Sequence, residues 1–197
     1  MDADDAATPH PSSASSTELL FQSLEESRRL GFLGSRPIAE VVAHARYFVE
    51  ALSSSPARIG PASAVLDLGA GGGVPGLVIA HDLPDVTVTM LDRRRTRTDF
   101  LSRVVRRLEW SDRVDVLTQD ADQPAPSQQG AFDAAVARGF GPPDLTLRIA
   151  ARWVRPGGLI VISEPPTGDR WADIDTSPFA VDRTLSPSTH VAIFTKR

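Results

Sequence analysis

The sequence contains no cysteine, and of its 21 basic residues all but Lys196 are arginine. Without cysteine there is no disulfide scaffold, no thiolate zinc or iron–sulfur site and no attack on a substrate through a thiol. Long apolar runs are missing as well: no stretch of about 18 apolar residues occurs that could span a membrane. The opening residues MDADDAATPHPSSASS are acidic and polar where a secretory signal would be basic and then apolar. A cytoplasmic protein without a membrane partner is expected. With 197 residues, 41% hydrophobic and 23% charged, the chain is long enough to bury its own core. Its formal net charge of −4 argues against indiscriminate nucleic-acid binding by the whole surface. Seven arginines nevertheless fall between Arg93 and Arg107, and a cluster of that kind can contact phosphate.

Residues 1–16 have almost no bulky apolar side chain, which predicts a disordered tail. From Thr17 to Leu30 the set Leu19, Leu20, Leu24 and Leu30 has a loose helical spacing, ended by Gly31, Gly34 and Pro37. A second helix follows, with Ile38, Val41, Val42, Ala45, Val49 and Leu52 at three- and four-residue steps. Residues 17–55 are therefore expected to form a helical cap, and 56–197 a second unit of α/β type. In the latter, short β-rich runs alternate with helical stretches, which predicts a mostly parallel sheet. The expected strands are Ala64–Leu68, Val86–Leu91, Arg113–Thr118, Phe132–Ala137, Leu159–Ser163, Ala180–Leu185 and Val191–Thr195. The last two are separated by too few residues for a crossover helix, so they must form an antiparallel hairpin.

The sharpest local signal is VLDLGAGGGVPG, residues 65–76, where a buried strand runs into Gly69, Gly71, Gly73 and Gly76 and then into a helix. Glycine serves where the backbone needs positive φ or must approach a ligand, and the helix start offers unpaired N–H groups. Twenty-three residues after Gly69, at the end of the second strand, stands Asp92. A carboxylate there can accept the hydroxyl hydrogens of an adenosine ribose, so the arrangement describes a site for a dinucleotide or for S-adenosylmethionine. Asp67 separates the two: a dinucleotide-binding strand normally carries an apolar residue there, whereas the amino-acid end of S-adenosylmethionine would give a buried carboxylate polar company. The turn Arg155-Pro156-Gly157-Gly158-Leu159 and the closing hairpin point the same way. With the D-x-G-x-G-x-G run of Asp67–Gly73, they resemble the Rossmann-like class I S-adenosylmethionine-dependent methyltransferases.

Three further stretches, GAGGGVPG at 69–76, DFLSRVV at 99–105 and VARGF at 136–140, resemble the small-subunit rRNA methyltransferase G (GidB) family over roughly residues 19–197. That resemblance implies a monomeric enzyme that methylates the N7 of a guanine in small-subunit (16S) ribosomal RNA. It implies that Gly69 and Val74 line the cofactor cleft, that Asp92 holds the ribose and that Ala121 and Asp122 sit by the adenine, with Asp120 competing for the role of Asp122. Arg138 is implied on the cofactor or substrate side and His44 on the substrate side. Two positions depart from the family's pattern: Ala43 stands where it has an arginine, and Glu164 where it has a lysine. At the edge of an RNA cleft Glu164 would repel phosphate, which keeps a small-molecule acceptor open, as well as a protein that binds the cofactor without turnover.

Methyl transfer from a sulfonium is an in-line displacement in which the donor carries the reactivity, so neither a covalent catalyst nor a metal is expected. Guanine N7 offers a lone pair and needs no general base. The absence of cysteine excludes pyrimidine C5 methylation through a thiol adduct. The run VARGFGPP lacks the acidic or amide residue followed by Pro-Pro-aromatic that marks methylation of exocyclic amines, while oxygen nucleophiles stay open. On the helix after Asp92, Phe100, Leu101, Val104, Val105 and Leu108 share one arc and Arg95, Arg103, Arg106 and Arg107 the opposite one. That basic arc is either a solvated face or a contact for RNA phosphates. Of the three tryptophans, Trp171 in the loop 164–178 is the candidate to stack on a base.

Overall fold

A computed structural model describes residues 15–54, 59–165, 170–186 and 188–197. The tail expected over 1–16 lies outside the described residues except for its last two. Ser15 caps helix α1 (Ser16–Arg29): its hydroxyl accepts from the Glu18 N–H, and the Glu18 carboxylate accepts from the Ser15 N–H. This reciprocal pair satisfies two N–H groups that a helix start leaves open. Helix α2 (Ile38–Ser54) follows, and its buried stripe includes Phe48, with Val49 only partly covered.

The remaining elements are β1 (Ala64–Leu68), α3 (Gly76–Asp82), β2 (Thr87–Asp92), α4 (Arg95–Arg107), β3 (Val114–Thr118), β4 (Phe132–Ala137), α5 (Pro143–Trp153), β5 (Val154–Ser163), β6 (Val181–Thr184) and β7 (Val191–Lys196). They form one seven-stranded sheet in the order β3-β2-β1-β4-β5-β7-β6. The first five strands are parallel, and β7 runs antiparallel to both β5 and β6. The mostly parallel sheet is the one the alternating runs predict, and with its closing antiparallel pair it has the Rossmann-like class I arrangement that the resemblance implies. The largest boundary difference is in β5, which begins at Val154, directly after α5, so that the Arg155–Gly158 stretch belongs to the strand instead of turning into it; β2, β3, β6 and β7 differ from expectation by one residue at one or both ends. The register passes from Phe132↔Val154 to Ala134↔Leu159, so the extra residues bulge out of the ladder. At Gly158 a Cβ would lie 2.6 Å from the Asp133 carbonyl oxygen, which is why the bulge needs glycine there.

Side chains alternate between the two faces of the sheet. Val65, Val88, Met90, Val136, Val161 and Ile193 point to a layer built from α1, α2, α3 and α4. Leu66, Leu68, Leu91, Ala135, Ile160 and Phe194 point to the other, which holds only α5, Trp171 and the irregular segment around Phe179. The thinner cover explains the Thr87-Val88-Thr89-Met90 alternation in β2, since its threonines lie on the face where helices are few. Trp171 is 3% exposed, with its ring centroid 4.7 Å from that of Phe194. It therefore fills the core of this thin layer and is not available to stack on a base, contrary to the sequence expectation.

The two N-terminal helices share a continuous core with the sheet: Leu20 and Leu24 of α1 pack in the same cluster as Val65, Leu77 and Phe100. Arg107 on α4 adds a 3.0 Å ion pair to Glu26 of α1 and a hydrogen bond to Ser23. Leu24→Ala should therefore lower the stability of the whole protein by about 2–5 kcal/mol, within a single denaturant transition followed by tryptophan fluorescence and circular dichroism. A separate early helical transition that leaves the tryptophan signal unchanged would contradict the shared core.

Candidate functional site

The carboxyl ends of β1, β2, β3 and β4 open onto a cavity of about 600 Å³. Crevices outside the strand ends, where the order of a parallel sheet reverses, are the usual ligand sites of such folds, and here the reversal falls between β1 and β4. Gly69, Asp92, Ala121 and Asp122 line the cavity; Leu91, Phe140, Leu145 and Ile149 supply its apolar wall. Gly69 has φ +68°, and a Cβ there would lie 2.6 Å from the Phe140 ring, so side-chain-free backbone is what lets that ring close over the end of β1.

Asp92 is 4% exposed and already committed to protein donors. One oxygen accepts from the Arg94 N–H at 2.8 Å; the other accepts from the Gly71 N–H at 3.0 Å and from the Arg97 guanidinium at 3.4 Å. A ribose hydroxyl would take a remaining lone pair or displace Arg97, a residue the sequence reading did not single out. Ala121 is held by its carbonyl, which accepts from the Trp153 indole N–H at 2.8 Å. That tryptophan, buried in α5, thus positions the loop after β3, a role its sequence context does not reveal. The side chain of Asp122 forms ion pairs with Arg148 and Arg152 on α5. The hydrogen bond from Arg148, reinforced by Arg152, holds its carboxyl below the usual aspartate range. The Asp120 carboxylate accepts from the Asp122 N–H, bracing the same turn.

Asp67, Gly71, Gly73 and Val74 form the wall behind this cavity. Gly71, Gly73 and Val74 are buried. The loop is pressed from behind by α1, whose Ser27 hydroxyl donates to the Gly72 carbonyl at 2.9 Å; a Cβ on Gly72 would meet that hydroxyl at 2.5 Å. Asp67 is 1% exposed. One of its oxygens accepts from the Gly76 N–H at 2.8 Å at the start of α3, and the other is buried with no partner among the described residues. Burial pushes its carboxyl up to about 7, against the Gly76 hydrogen bond and the attraction of Arg138.

Arg138 and His44 lie on the far side of that wall. Arg138 follows β4, donates from Nε to the Val74 carbonyl at 3.3 Å, and lines a recess of about 350 Å³ with Leu33, Gly34, Ser35, Arg36 and Val41. His44 on α2 is half-buried; burial first, then Arg138, His190 and Arg36, lowers its pKa below the ordinary histidine value. Glu164 does not present a negative charge to this edge. Its side chain is 6% exposed, paired with Arg170 at 3.4 Å and bonded to the Trp171 indole. The expected repulsion of phosphate is thus corrected: the carboxylate is turned inward and paired with Arg170.

With this geometry in hand, comparison with known proteins is informative. Residues 23–165 match the family described as rRNA small subunit methyltransferase G. The chain belongs to this family. Among its relatives is the ribosomal RNA small subunit methyltransferase G of Novosphingobium aromaticivorans, 44% identical over 94 residues, covering 48% of this chain and 39% of that protein. The protein of the same name from Dictyoglomus thermophilum is 28% identical over 152 residues, covering 75% of this chain and 62% of that one. The matches to the relatives from Novosphingobium, Rhizorhabdus and Thermotoga each span less than half of those proteins' lengths. Among solved structures, the [4+2]-cyclase SpnF has a TM-score of 0.52 at 26% identity, over 66% of this chain and 48% of that one. An O-methyltransferase family protein from Burkholderia thailandensis has a TM-score of 0.54 at 16% identity, over 79% and 57%, and shares the fold.

The raised pKa of Asp67 makes stability depend on pH. A carboxyl that holds its proton more tightly when folded stabilises the protein fully below its unfolded pKa of 3.8, and that contribution is lost as pH rises through about 7. The span corresponds to on the order of 4 kcal/mol. Urea midpoints should fall between pH 5 and 8 in the wild type and fall less in Asp67→Asn; parallel pH profiles would contradict the assignment.

Proposed function

We propose that this chain is an S-adenosylmethionine-dependent methyltransferase that modifies guanine N7 in the RNA of the small ribosomal subunit, working as a monomer in the cytoplasm. The observation that carries the reading is the family match over residues 23–165, which takes in every residue considered for the cofactor. No helix among the described residues is long and apolar enough to cross a membrane, in keeping with a substrate in solution.

The residues present fit the cofactor. The partnerless buried oxygen of Asp67 lies behind a loop that a cationic amino group could reach, and the cavity combines an apolar wall with the Asp92 carboxylate. On this reading Asp92 and the Ala121 turn hold the adenosine, Phe140 and Ile149 exclude water from one side of it, and Asp67 with Gly69, Gly71, Gly73 and Val74 shapes the amino-acid end. When bound, the cofactor supplies an electrophilic methyl group. The chain's own contribution is alignment: N7 carries its lone pair, so no side chain has to remove a proton, and an in-line approach is won by positioning. Arg138 and His44, across the loop, are placed to hold the acceptor, with the guanidinium suited to a phosphate or to a base edge.

A small-molecule acceptor is the second reading. Ala43 and the inward-turned, arginine-paired Glu164 favour it, because both remove cations from the acceptor side. The cyclase among the structural neighbours illustrates that this fold hosts more than one chemistry.

Calorimetry should show binding of S-adenosylhomocysteine and none of NAD, and an absence of heat with the former would remove the cofactor assignment. The ammonium of the ligand favours ionised Asp67, so binding between pH 6 and 7 should release protons, read from the dependence of the heat on buffer ionisation enthalpy; Asp67→Asn should abolish that release. Mass spectrometry of ribosomal RNA from cells lacking the gene should show less N7-methylguanosine, and an unchanged level would favour the small-molecule acceptor.

A further inference from the structure

Three rings meet beyond the far wall of the loop. Tyr47 on α2 stacks on His190, the residue before β7, with centroids 4.2 Å apart and planes inclined by 23°. His44, one turn earlier on α2, stands edge-on to both at 5.9 Å. The main chain fixes His190 at the carboxyl edge of the sheet, since its carbonyl accepts from the Glu164 N–H at 2.7 Å where β5 ends. This is the edge at which Arg138 follows β4.

A cluster that served packing alone would pair its buried polar atoms. Here Nδ1 of His44 is buried with no partner, and neither the Tyr47 hydroxyl nor the His190 ring makes a hydrogen bond to the described residues. Tyr47 and His190 are both only partly covered, so each keeps some contact with solvent. Arg36 and Arg138 lie near enough to act on His44 electrostatically. Stacked rings with unused donors and acceptors, flanked by guanidinium groups, match the chemistry by which proteins hold an unpaired nucleobase and its phosphate.

We propose that Tyr47, His190 and His44 form the seat of the acceptor purine: the base stacks on the Tyr47–His190 pair beside His44, and Arg36 takes the adjoining phosphate. This rests on the reading of the chain as a methyltransferase of a purine base and names the residues that select the base. A purine embedded in RNA and one in a free nucleotide present the same chemistry to the seat.

Tyr47 is the only tyrosine of the chain, so incorporation of 3-fluorotyrosine places a single ¹⁹F resonance on the seat. With S-adenosylhomocysteine bound, titration with guanosine 5′-monophosphate and with a short RNA hairpin carrying a loop guanine should move that resonance, and cytidine 5′-monophosphate should move it less. A shift with the hairpin alone assigns the seat to RNA, and a shift with the mononucleotide alone to free nucleotides. A resonance unmoved by either overturns the seat, even if the wild type methylates RNA. A resonance that moves in a protein that transfers no methyl group keeps the seat and removes the methyltransferase reading. In an active enzyme, Tyr47→Ala and His190→Ala should each lower kcat/KM for RNA about tenfold or more with the Kd for S-adenosylhomocysteine unchanged, and Tyr47→Phe should restore most of the loss. Equal kcat/KM in Tyr47→Ala and the wild type would overturn the proposal.

Discussion

Two buried carboxylates on neighbouring strands hold the loop between β1 and α3 at both ends, and the rest of the site depends on that hold. Asp67 binds the amide of Gly76, where the loop becomes helix, and Asp92 binds the amide of Gly71, where the loop leaves the sheet. The Ala70 N–H reaches the Leu91 carbonyl at 2.9 Å, so pairing between β1 and β2 continues into the turn. Carboxylate-to-amide bonds are among the stronger ones available to a protein, and they offset part of the cost of taking each charge out of water. For Asp92, three donors complete the compensation. For Asp67 the compensation is partial, which is what its raised pKa records. A polar group arriving beside its second oxygen would complete it, and a cofactor with an ammonium group brings one.

The same loop marks the border between a thick and a thin half of the molecule. Four helices cover one face of the sheet, and Ser27 of α1 with Leu33, just beyond that helix, press on the loop, which leaves no room for a side chain at residue 72. On the other face α5 works almost alone, and it spends its side chains on the site: Trp153 holds Ala121, Arg148 and Arg152 hold Asp122, and Ile149 forms part of the cavity wall. A thin layer leaves space for a ligand above β1 and β2, and the thick layer keeps the loop from yielding into the core.

Much of this architecture was legible in the chain. Short β-rich runs marked β1 and β4 to the residue, and the shortness of the connection before β7 required an antiparallel hairpin, because composition and chain length are local properties. The glycines and Asp92 were legible for the same reason, since they follow one strand and end the next. What escaped was settled by partners distant in sequence. Glu164 looked like a surface charge until Arg170 and Trp171 enclosed it; Trp171 looked like a loop aromatic until Phe194 received it. The role of Trp153 depends on Ala121, thirty-two residues away. Ser15 was within reach, because Ser-x-x-Glu ahead of an apolar run is a helix-start signature, but a composition argument that treated residues 1–16 as a unit passed over it.

The division of the candidate residues by the loop has a chemical sense. In an in-line displacement the nucleophile and the departing sulfur lie on opposite sides of the methyl carbon, so a donor site and an acceptor site have to open onto one another at that carbon. Gly69, Asp92 and Ala121 line one cavity, and Arg138 lines a separate recess, near enough to His44 to act on it electrostatically. Arg138 touches the loop itself through the Val74 carbonyl, and Asp67, near the end of β1, is close enough for the two charges to feel one another. A change in the charge of Asp67 therefore alters the field at Arg138. On the proposed reading, a ligand that changes the charge of Asp67 changes the electrostatics around Arg138 without any movement of the fold.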